Sequence, residues 1–488
     1  MTQPQSLGQA SARGVLWNGA TFGLGKAVVF VTTVITARLL VPDDFGLLGI
    51  GLLVIGYLEF VNDFGVSAAL IQRKDGSEEA ADTAFWLNIA LGITLTAVGV
   101  AVAPAIAAFF DDDRATDIVR VLSLSFLLTS IGSVHEARLR RDLRFRARVV
   151  PELAKNLVKG AVSITLAVLD YGVWALVWGQ LAGTVTAALL YWVILRWRPN
   201  RRFDRRIARE LLGFGSQITL VGLLGGLHKN LDYLLIGRQF DTRALGIYTL
   251  AFRMPQLLVE SVVGITSQVV FPAFSRVQED PDRLRRGLER MLRITSLVIV
   301  PLGLGLALTA DPFIRVFYGG GWEEAIPVMR LLALYMLVQS LGRTCGDLYK
   351  GMGRPGILNW LALVKLAISA PLLILAVPHG IETVAAAHLG AALVISVIQF
   401  AIAARITGMP ARSILGSFVP AFRAGIAMAV VCLGVIQLVD DAPALGRLIV
   451  ITGTGAIVYL GMLALTARDT IGEVAELVGG RKNRTRTE

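Results

Sequence analysis

Long apolar stretches separated by short polar segments run through this chain from about residue 15 to residue 467. A helix needs about 20 residues to cross a hydrocarbon core of ~30 Å. Stretches of that length predict fourteen membrane-spanning helices, at residues 15–37, 45–63, 84–108, 115–134, 149–169, 172–195, 211–236, 245–270, 291–312, 325–348, 357–377, 382–404, 419–438 and 446–467. The predicted fold class is therefore an all-α integral membrane protein.

Charge alternates along the connections between these spans. Residues 135–150, 196–209 and 275–293 are strongly basic, as is the C-terminal tail, whereas the intervening connections are acidic or neutral. An excess of Lys and Arg marks the cytoplasmic side, which places both termini in the cytoplasm and makes the span number even. The net charge of +11 thus reflects topology and does not indicate nucleic-acid binding. Only 17% of residues are charged, against about 25% in soluble domains, and the expected location is a membrane.

The chain also repeats itself at an offset of about 200 residues. Arg38 aligns with Arg238 and Gly46 with Gly246, and further on Pro104 aligns with Pro312. Each repeat holds six spans and hence has the same orientation, which predicts two lobes related by a pseudo-twofold axis along the membrane normal, with the pathway between them. The predicted domains are an N-terminal six-helix lobe, a C-terminal six-helix lobe, and two additional helices with a basic tail, at residues 1–200, 201–410 and 411–488.

Basic residues inside the predicted spans are the main indication of function. Lys26, Arg253 and Lys365 have no Asp or Glu three or four positions away. A cation at the bilayer centre costs roughly 2.5–3.5 kcal/mol on insertion scales and normally faces protein or a water-filled cavity. Together with Lys229, they predict a cationic cavity that binds an anionic substrate. The alternative is that each pairs with an acid on a neighbouring helix and fixes packing.

Acidic residues inside or beside the spans suggest two further roles. Asp232 lies three residues after Lys229, so the two can pair on one helix face, or Asp232 can carry a coupling ion, Na⁺ or H⁺. Glu59 and Asp63, one turn apart at the end of the second span, are candidates for a gate, with a solvated helix end as the alternative.

Other chemistry is not indicated by the sequence. Arg343 and Asp347, four residues apart, are predicted to form a structural pair. No HExxH motif, Ser-His-Asp order or paired-carboxylate signature is present, and the two cysteines lie far apart in apolar segments. We therefore expect no catalytic residues, metal or cofactor.

Three segments carry a family resemblance: ARLLVPDDFGLLGI at 37–50, NDFGVSAALIQRK at 62–74 and LDYLLIGRQFDTRALGIYTLAFRMP at 231–255. With them the chain resembles bacterial polysaccharide flippases of the Wzx type, within the multidrug/oligosaccharidyl-lipid/polysaccharide exporter superfamily. The resemblance implies a non-enzymatic flippase for polysaccharide biosynthesis, such as that of lipopolysaccharide or exopolysaccharide. It would translocate undecaprenyl-diphosphate-linked oligosaccharide from the cytoplasmic to the outer leaflet by alternating access.

The partners that the resemblance implies are the lipid-linked anionic oligosaccharide, membrane lipids, and polysaccharide polymerase or export proteins. A lipid II or multidrug transporter of the same superfamily is the alternative within transport. An integral-membrane glycan polymerase or ligase is the alternative from another class, and it would be expected to carry a large outer loop. Every predicted outer loop in this chain is short.

Overall fold

The computed structural model describes residues 7–62, 64–72, 77–142, 144–277, 280–354 and 356–466. Within these ranges the chain forms fifteen α-helices and one short 3₁₀ helix, and no β-strand. The α-helices, α1 to α15 in chain order, are Leu7–Leu39, Pro42–Asn62, Val66–Gln72, Ser77–Phe110, Arg114–Arg141, Phe145–Val168, Val173–Ile194, Arg205–Gln239, Thr242–Arg276, Pro281–Phe317, Ala325–Gly351, Gly356–Ala376, Ile381–Thr407, Ala411–Leu438 and Ala444–Thr466.

The predicted spans all appear as long helices. Fourteen of the described helices, all except α3, have at least 21 residues, and each coincides with one predicted span. Nine of the described helices are long and apolar enough to cross a membrane by length and composition. Helices suit this environment because lipid offers no hydrogen-bond partner, so backbone groups must pair within the segment. The predicted all-α membrane fold is therefore confirmed.

Helix α3 is the one described α-helix that the hydropathy pattern did not predict. It has seven residues, too few to cross a bilayer. The turn before it contains Gly65, whose φ of +66° favours glycine. A Cβ on Gly65 would lie 2.6 Å from the Cα of Gly215 in α8. Two glycines thus let the start of α3 lie directly against α8.

The chain divides into two compact units, an N-terminal unit, Met1–Thr249, and a C-terminal unit, Leu250–Glu488. The predicted lobes at 1–200 and 201–410 remain a prediction.

Helix α2 and the first turns of α9, both within the N-terminal unit, meet at a pair of glycines. A Cβ on Gly46 would overlap the carbonyl oxygen of Thr242, and a Cβ on Gly246 would overlap that of Pro42. The contact is reciprocal: each glycine lies against the residue four positions before the other. These are the two glycines that the sequence repeat aligned.

Polar contacts join the same helix ends. The Asp43 carboxylate accepts a hydrogen bond from the Thr242 hydroxyl and pairs with Arg114 at 2.7 Å. Arg114 also pairs with Asp112 at 2.7 Å. A branched ion-pair network therefore links the beginnings of α2, α5 and α9 at the end of the unit where the acidic connections lie.

At the opposite end, called the basic end below, the connector between α7 and α8 is held in place. Asn200 bonds to Asp82 through its backbone N–H at 2.9 Å and its side-chain amide at 3.1 Å, and its carbonyl accepts from the Trp86 indole at 2.8 Å. Trp197 donates to Glu78 at 3.1 Å, and Arg138 lies 4.9 Å from the centre of the Trp197 ring. The basic sequence 196–209 is thus an ordered strap packed on α4 and α5.

In the C-terminal unit, α10 packs against α11 on one side and against α14 and α15 on another. The Tyr459 hydroxyl donates to the carbonyl of Leu297 at 2.9 Å, and the buried Met428 and Cys432 fill the space between these helices. A largely apolar cavity of about 900 Å³ lies beside this contact. The two additional C-terminal helices are therefore packed onto the unit through α10.

Candidate functional site

The cations predicted to line a cavity have different surroundings. Lys26 is half-buried in α1 and already interacts with another group. Arg253 is exposed on α9, within electrostatic range of Tyr318, and forms no ion pair with any residue that the structure describes. Lys229 lies in α8, but its side chain is outside the described part of the chain.

Lys365 lies in a small polar cluster between α11, α12 and α13. In the amide orientation that satisfies both of its groups, the Gln399 side-chain oxygen accepts from the Lys365 ammonium at 3.2 Å. The amide nitrogen of Gln399 then donates to the carbonyl of Gly342 at 2.9 Å. A Cβ at position 342 would overlap the Gln399 amide, so glycine leaves the space that this arrangement needs. An uncharged amide, rather than a carboxylate, therefore holds this half-buried cation.

Arg343 adds a second positive charge beside Lys365. It is exposed on α11 and close enough to Lys365 for the two charges to repel. The predicted pair of Arg343 with Asp347 is wrong: Arg343 forms no ion pair with any described residue, and Asp347 pairs with Lys350, three residues further along α11, at 3.7 Å. Sequence spacing allowed both pairs, and packing selected the second. Two cations without an opposing carboxylate are thus brought together in the C-terminal unit.

The candidate coupling residue Asp232 is fully buried in the N-terminal unit. Its carboxylate accepts a hydrogen bond from the Tyr248 hydroxyl at 2.9 Å and interacts electrostatically with Tyr57. Tyr233 packs edge-on against Tyr248 with ring centres 5.6 Å apart. The Asp232 carboxylate thus lies among tyrosine side chains in the interior of the unit. Its role in coupling remains a prediction.

The two candidate gate residues are less informative. Glu59 is exposed near the end of α2, and Asp63 lies outside the described residues. Among the residues that the structure describes, no group of three or more His, Cys, Asp or Glu side chains could hold a metal ion.

Sequence reasoning missed a cavity with charged groups in its lining inside the N-terminal unit. It has a volume of about 210 Å³, lies among α3, α5, α6 and α7, and has a largely apolar lining that also includes hydroxyl groups and four charged side chains. The charged lining residues are Glu136 and Arg140 on α5 and Glu152 and Lys155 on α6. The buried Tyr191 of α7 donates its hydroxyl proton to Glu152 at 3.3 Å.

Close packing of α6 on α7 positions this cavity. Gly179 and Gly183 are four residues apart on α7, the small-xxx-small spacing that lets membrane helices approach closely. A Cβ on Gly183 would lie 2.7 Å from the carbonyl oxygen of Lys155, and one on Gly179 would lie 2.9 Å from that of Lys159. The backbone that carries Lys155 is therefore fixed against α7, which leaves its side chain to line the cavity.

A signal for this cavity was present in the sequence. Glu152, Lys155 and Lys159 recur three and four positions apart inside the predicted span 149–169, a spacing that puts them on one helix face. Three ionisable groups inside a span are as unusual as the isolated cations. The criterion of a cation without a nearby acid excludes Lys155, because Glu152 lies three residues before it, whereas Lys159 meets the criterion and was overlooked.

Comparison with known proteins gives a consistent assignment. Residues 35–327, more than half of the chain, match the family model described as polysaccharide biosynthesis protein. The chain is 29% identical over 417 residues to the teichuronic acid biosynthesis protein TuaB of Bacillus subtilis, covering 83% of this chain and 85% of TuaB. It is 26% identical over 358 residues to the lipopolysaccharide biosynthesis protein WzxC of Escherichia coli, covering 72% of each chain.

Among solved structures, the fold is similar to that of the lipid II flippase MurJ in an inward closed conformation. The TM-score is 0.75 at 16% sequence identity, and the match covers 93% of this chain and 99% of MurJ. At that identity the likeness shows the fold alone. The predicted resemblance to Wzx-type proteins is confirmed by the family model and the relatives, and the chain belongs to the polysaccharide biosynthesis protein family.

Proposed function

We propose that this chain is a flippase that moves an anionic, undecaprenyl-diphosphate-linked oligosaccharide from the cytoplasmic to the outer leaflet of a bacterial inner membrane. Membership of a polysaccharide biosynthesis family and a fold shared with a lipid II flippase support transport of a lipid-linked glycan. The fold shared with a flippase supports transport over the activity of a glycan polymerase or ligase.

One observation carries the choice of an anionic substrate. Arg253, Arg343 and Lys365 lie in membrane helices, and within the described chain none of them is neutralised by a carboxylate. Because a charge facing lipid is costly, exposed cations on such helices face water or an anion. In a low-dielectric cavity two or three cations attract a diphosphate or an acidic sugar strongly.

The proposed mechanism is alternating access. These cations bind the headgroup from water, and Lys26 and Lys229 are predicted to contribute, while the polyprenyl tail stays in lipid. Rocking of the two lobes then exposes the headgroup to the opposite side. Release from a cationic cavity needs a competing driving force, for which a coupling ion bound at Asp232 or the membrane potential is suitable.

Export in a deletion strain complemented with single variants tests the proposal. Lys365→Ala and Arg253→Ala should cause lipid-linked glycan to accumulate in the cytoplasmic leaflet at normal expression. Lys365→Arg should be milder, because attraction of a diffuse anion depends on charge, and Lys365→Glu should be the most severe because it repels the substrate.

Lys350→Ala is a matched control, since Lys350 is a cation of the same unit whose charge is paired with Asp347. Normal export by both Lys365→Ala and Arg253→Ala would refute the mechanism in which cations bind an anionic headgroup. Accumulation of lipid II in place of the glycan precursor in the deletion strain would favour the lipid II alternative.

A further inference from the structure

We propose that the 210 Å³ cavity of the N-terminal unit binds a single acidic sugar ring of the transported glycan, with the Lys155 ammonium recognising its carboxylate and Glu152 its hydroxyl groups. This inference rests on the proposed function and adds to it a substrate class and a specificity site. The lining of this cavity contains none of the cations proposed to bind the headgroup, which are Lys26, Lys229, Arg253, Arg343 and Lys365.

The charges around the cavity leave one cation available. Glu136 is neutralised from two sides, by Arg140 at 2.7 Å and by Arg148 at 3.2 Å. Lys155 is half-buried and, within the part of the chain that the structure describes, has neither a hydrogen bond nor an ion pair.

The lining contains two carboxylates and two cations, and Arg148, which pairs with Glu136 from outside the lining, brings the net charge of the group to one positive. A partly buried ammonium without a partner is costly, and an anion at this position would remove that cost.

The same lining disfavours other ligands. The Lys155 ammonium would repel a metal ion or any other cation, and Glu136 is not available as a ligand because it is already paired with Arg140. A bare phosphate offers its oxygens as acceptors and would meet the Glu152 carboxylate, which is also an acceptor. An acidic sugar brings one carboxylate for Lys155 and several hydroxyl donors for Glu152, and the hydroxyls of Ser133 and Thr184 complete the polar lining.

Size limits the ligand to one ring. A volume of about 210 Å³ is below the roughly 300–1,000 Å³ of sites for drug-sized molecules. Close packing closes one side of the cavity: a Cβ on Gly132 would lie 3.2 Å from the Cα of Ala188, so the walls already touch there. The Tyr191 ring and the alanines of α7 offer an apolar surface for the C–H face of a sugar.

A transport assay with two matched substrates tests the inference. Full-length protein in proteoliposomes is given a fluorescent undecaprenyl-diphosphate disaccharide that ends in glucuronate, or the same lipid ending in glucose, and arrival in the outer leaflet is followed by chemical quenching. We expect the wild type to prefer the acidic substrate. Lys155→Gln should lower the ratio of kcat/KM for acidic over neutral substrate about tenfold, because a charge-assisted hydrogen bond is worth about 1.5–3 kcal/mol.

Two further variants make the result decisive. Lys155→Arg keeps the charge and should keep most of the preference. Lys159→Gln is the matched control one turn along the same helix. The Lys159 ammonium donates a hydrogen bond to the Gln180 side chain at 2.6 Å and does not line the cavity. The substrate preference of Lys159→Gln should therefore equal that of the wild type.

The acidic-sugar site would be overturned if the ratio of kcat/KM for acidic over neutral substrate were unchanged in Lys155→Gln. The same holds if Lys155→Gln lowered kcat/KM equally for both substrates, or if the wild type showed no preference. Competition by millimolar inorganic phosphate that disappears in Lys155→Gln would assign the cavity to phosphate instead. Failure of the wild type to move either lipid would count against the proposed function itself and is thus distinguishable from failure of this inference.

Discussion

The crossing of α2 and α9 allows a sharp test of the structure, because the same helix carries two glycines in opposite surroundings. At Gly46 an added Cβ would overlap the Thr242 carbonyl oxygen and lie 2.6 Å from its carbonyl carbon. At Gly56 nothing lies within 4 Å of the added atom. Alanine substitution at these two positions makes the same chemical change on one helix.

The expected magnitudes have opposite signs. In a helix interior, Gly→Ala stabilises by about 1 kcal/mol when nothing opposes it, which is the expectation for Gly56→Ala. At Gly46 the new carbon would be about 1 Å inside the ordinary contact distance of about 3.5–4.0 Å. Overpacking of this kind costs about 1–3 kcal/mol, and the upper part of that range applies because the obstacle is backbone and cannot change rotamer. Gly46→Ala should therefore be the less stable variant by about 2–3 kcal/mol, because the gain in helix propensity is common to both variants and cancels.

Thermal unfolding of the purified protein in detergent, followed by the loss of the monodisperse peak in size-exclusion chromatography, measures the difference. Gly46→Ala and Gly246→Ala should both unfold at a lower temperature than the wild type, since the contact is reciprocal. Gly56→Ala should match or exceed the wild type. Equal unfolding temperatures for Gly46→Ala and Gly56→Ala would refute the close crossing.

Three other predictions concern the strap, the coupling residue and the topology. Asp82→Ala removes two hydrogen bonds to Asn200, each worth about 1 kcal/mol, so it should lower the unfolding temperature and speed tryptic cleavage within 196–203; Asp117→Ala, which removes only an exposed pair with Arg120, should do neither. Asp232→Asn should abolish the response of transport to an imposed Na⁺ or H⁺ gradient while leaving the protein folded, and a retained response would exclude Asp232 as the coupling site. Single cysteines at 112 and 323 should react with an impermeant thiol reagent in intact cells, and a cysteine at 143 should not; the reverse pattern would overturn the predicted orientation.

The sequence alone determined the elements that depend on local composition. Apolar stretches of about twenty residues predicted all fourteen long helices, because hydropathy and length decide whether a segment can cross a bilayer. The family was also accessible, since its characteristic segments are continuous in sequence. Lys365 and Arg253 were found because the cost of a charge in lipid depends on position within a span. Helix α3 was missed because seven residues carry no such signal.

Only the tertiary structure decided which distant groups meet. Lys365 is held by Gln399, on a different helix, and spacing within one helix cannot reveal such a partner. Asp347 could pair with either of two cations on its own helix, and packing selected Lys350. The cavity beside Lys155 lies where glycines on α7 allow α6 to approach closely. Lys155 keeps its charge available there because Glu136 is already paired with Arg140 and Arg148. Whether a charge stays available for a ligand depends on all groups around it in space. Spacing along the sequence identifies only the neighbours on the same helix.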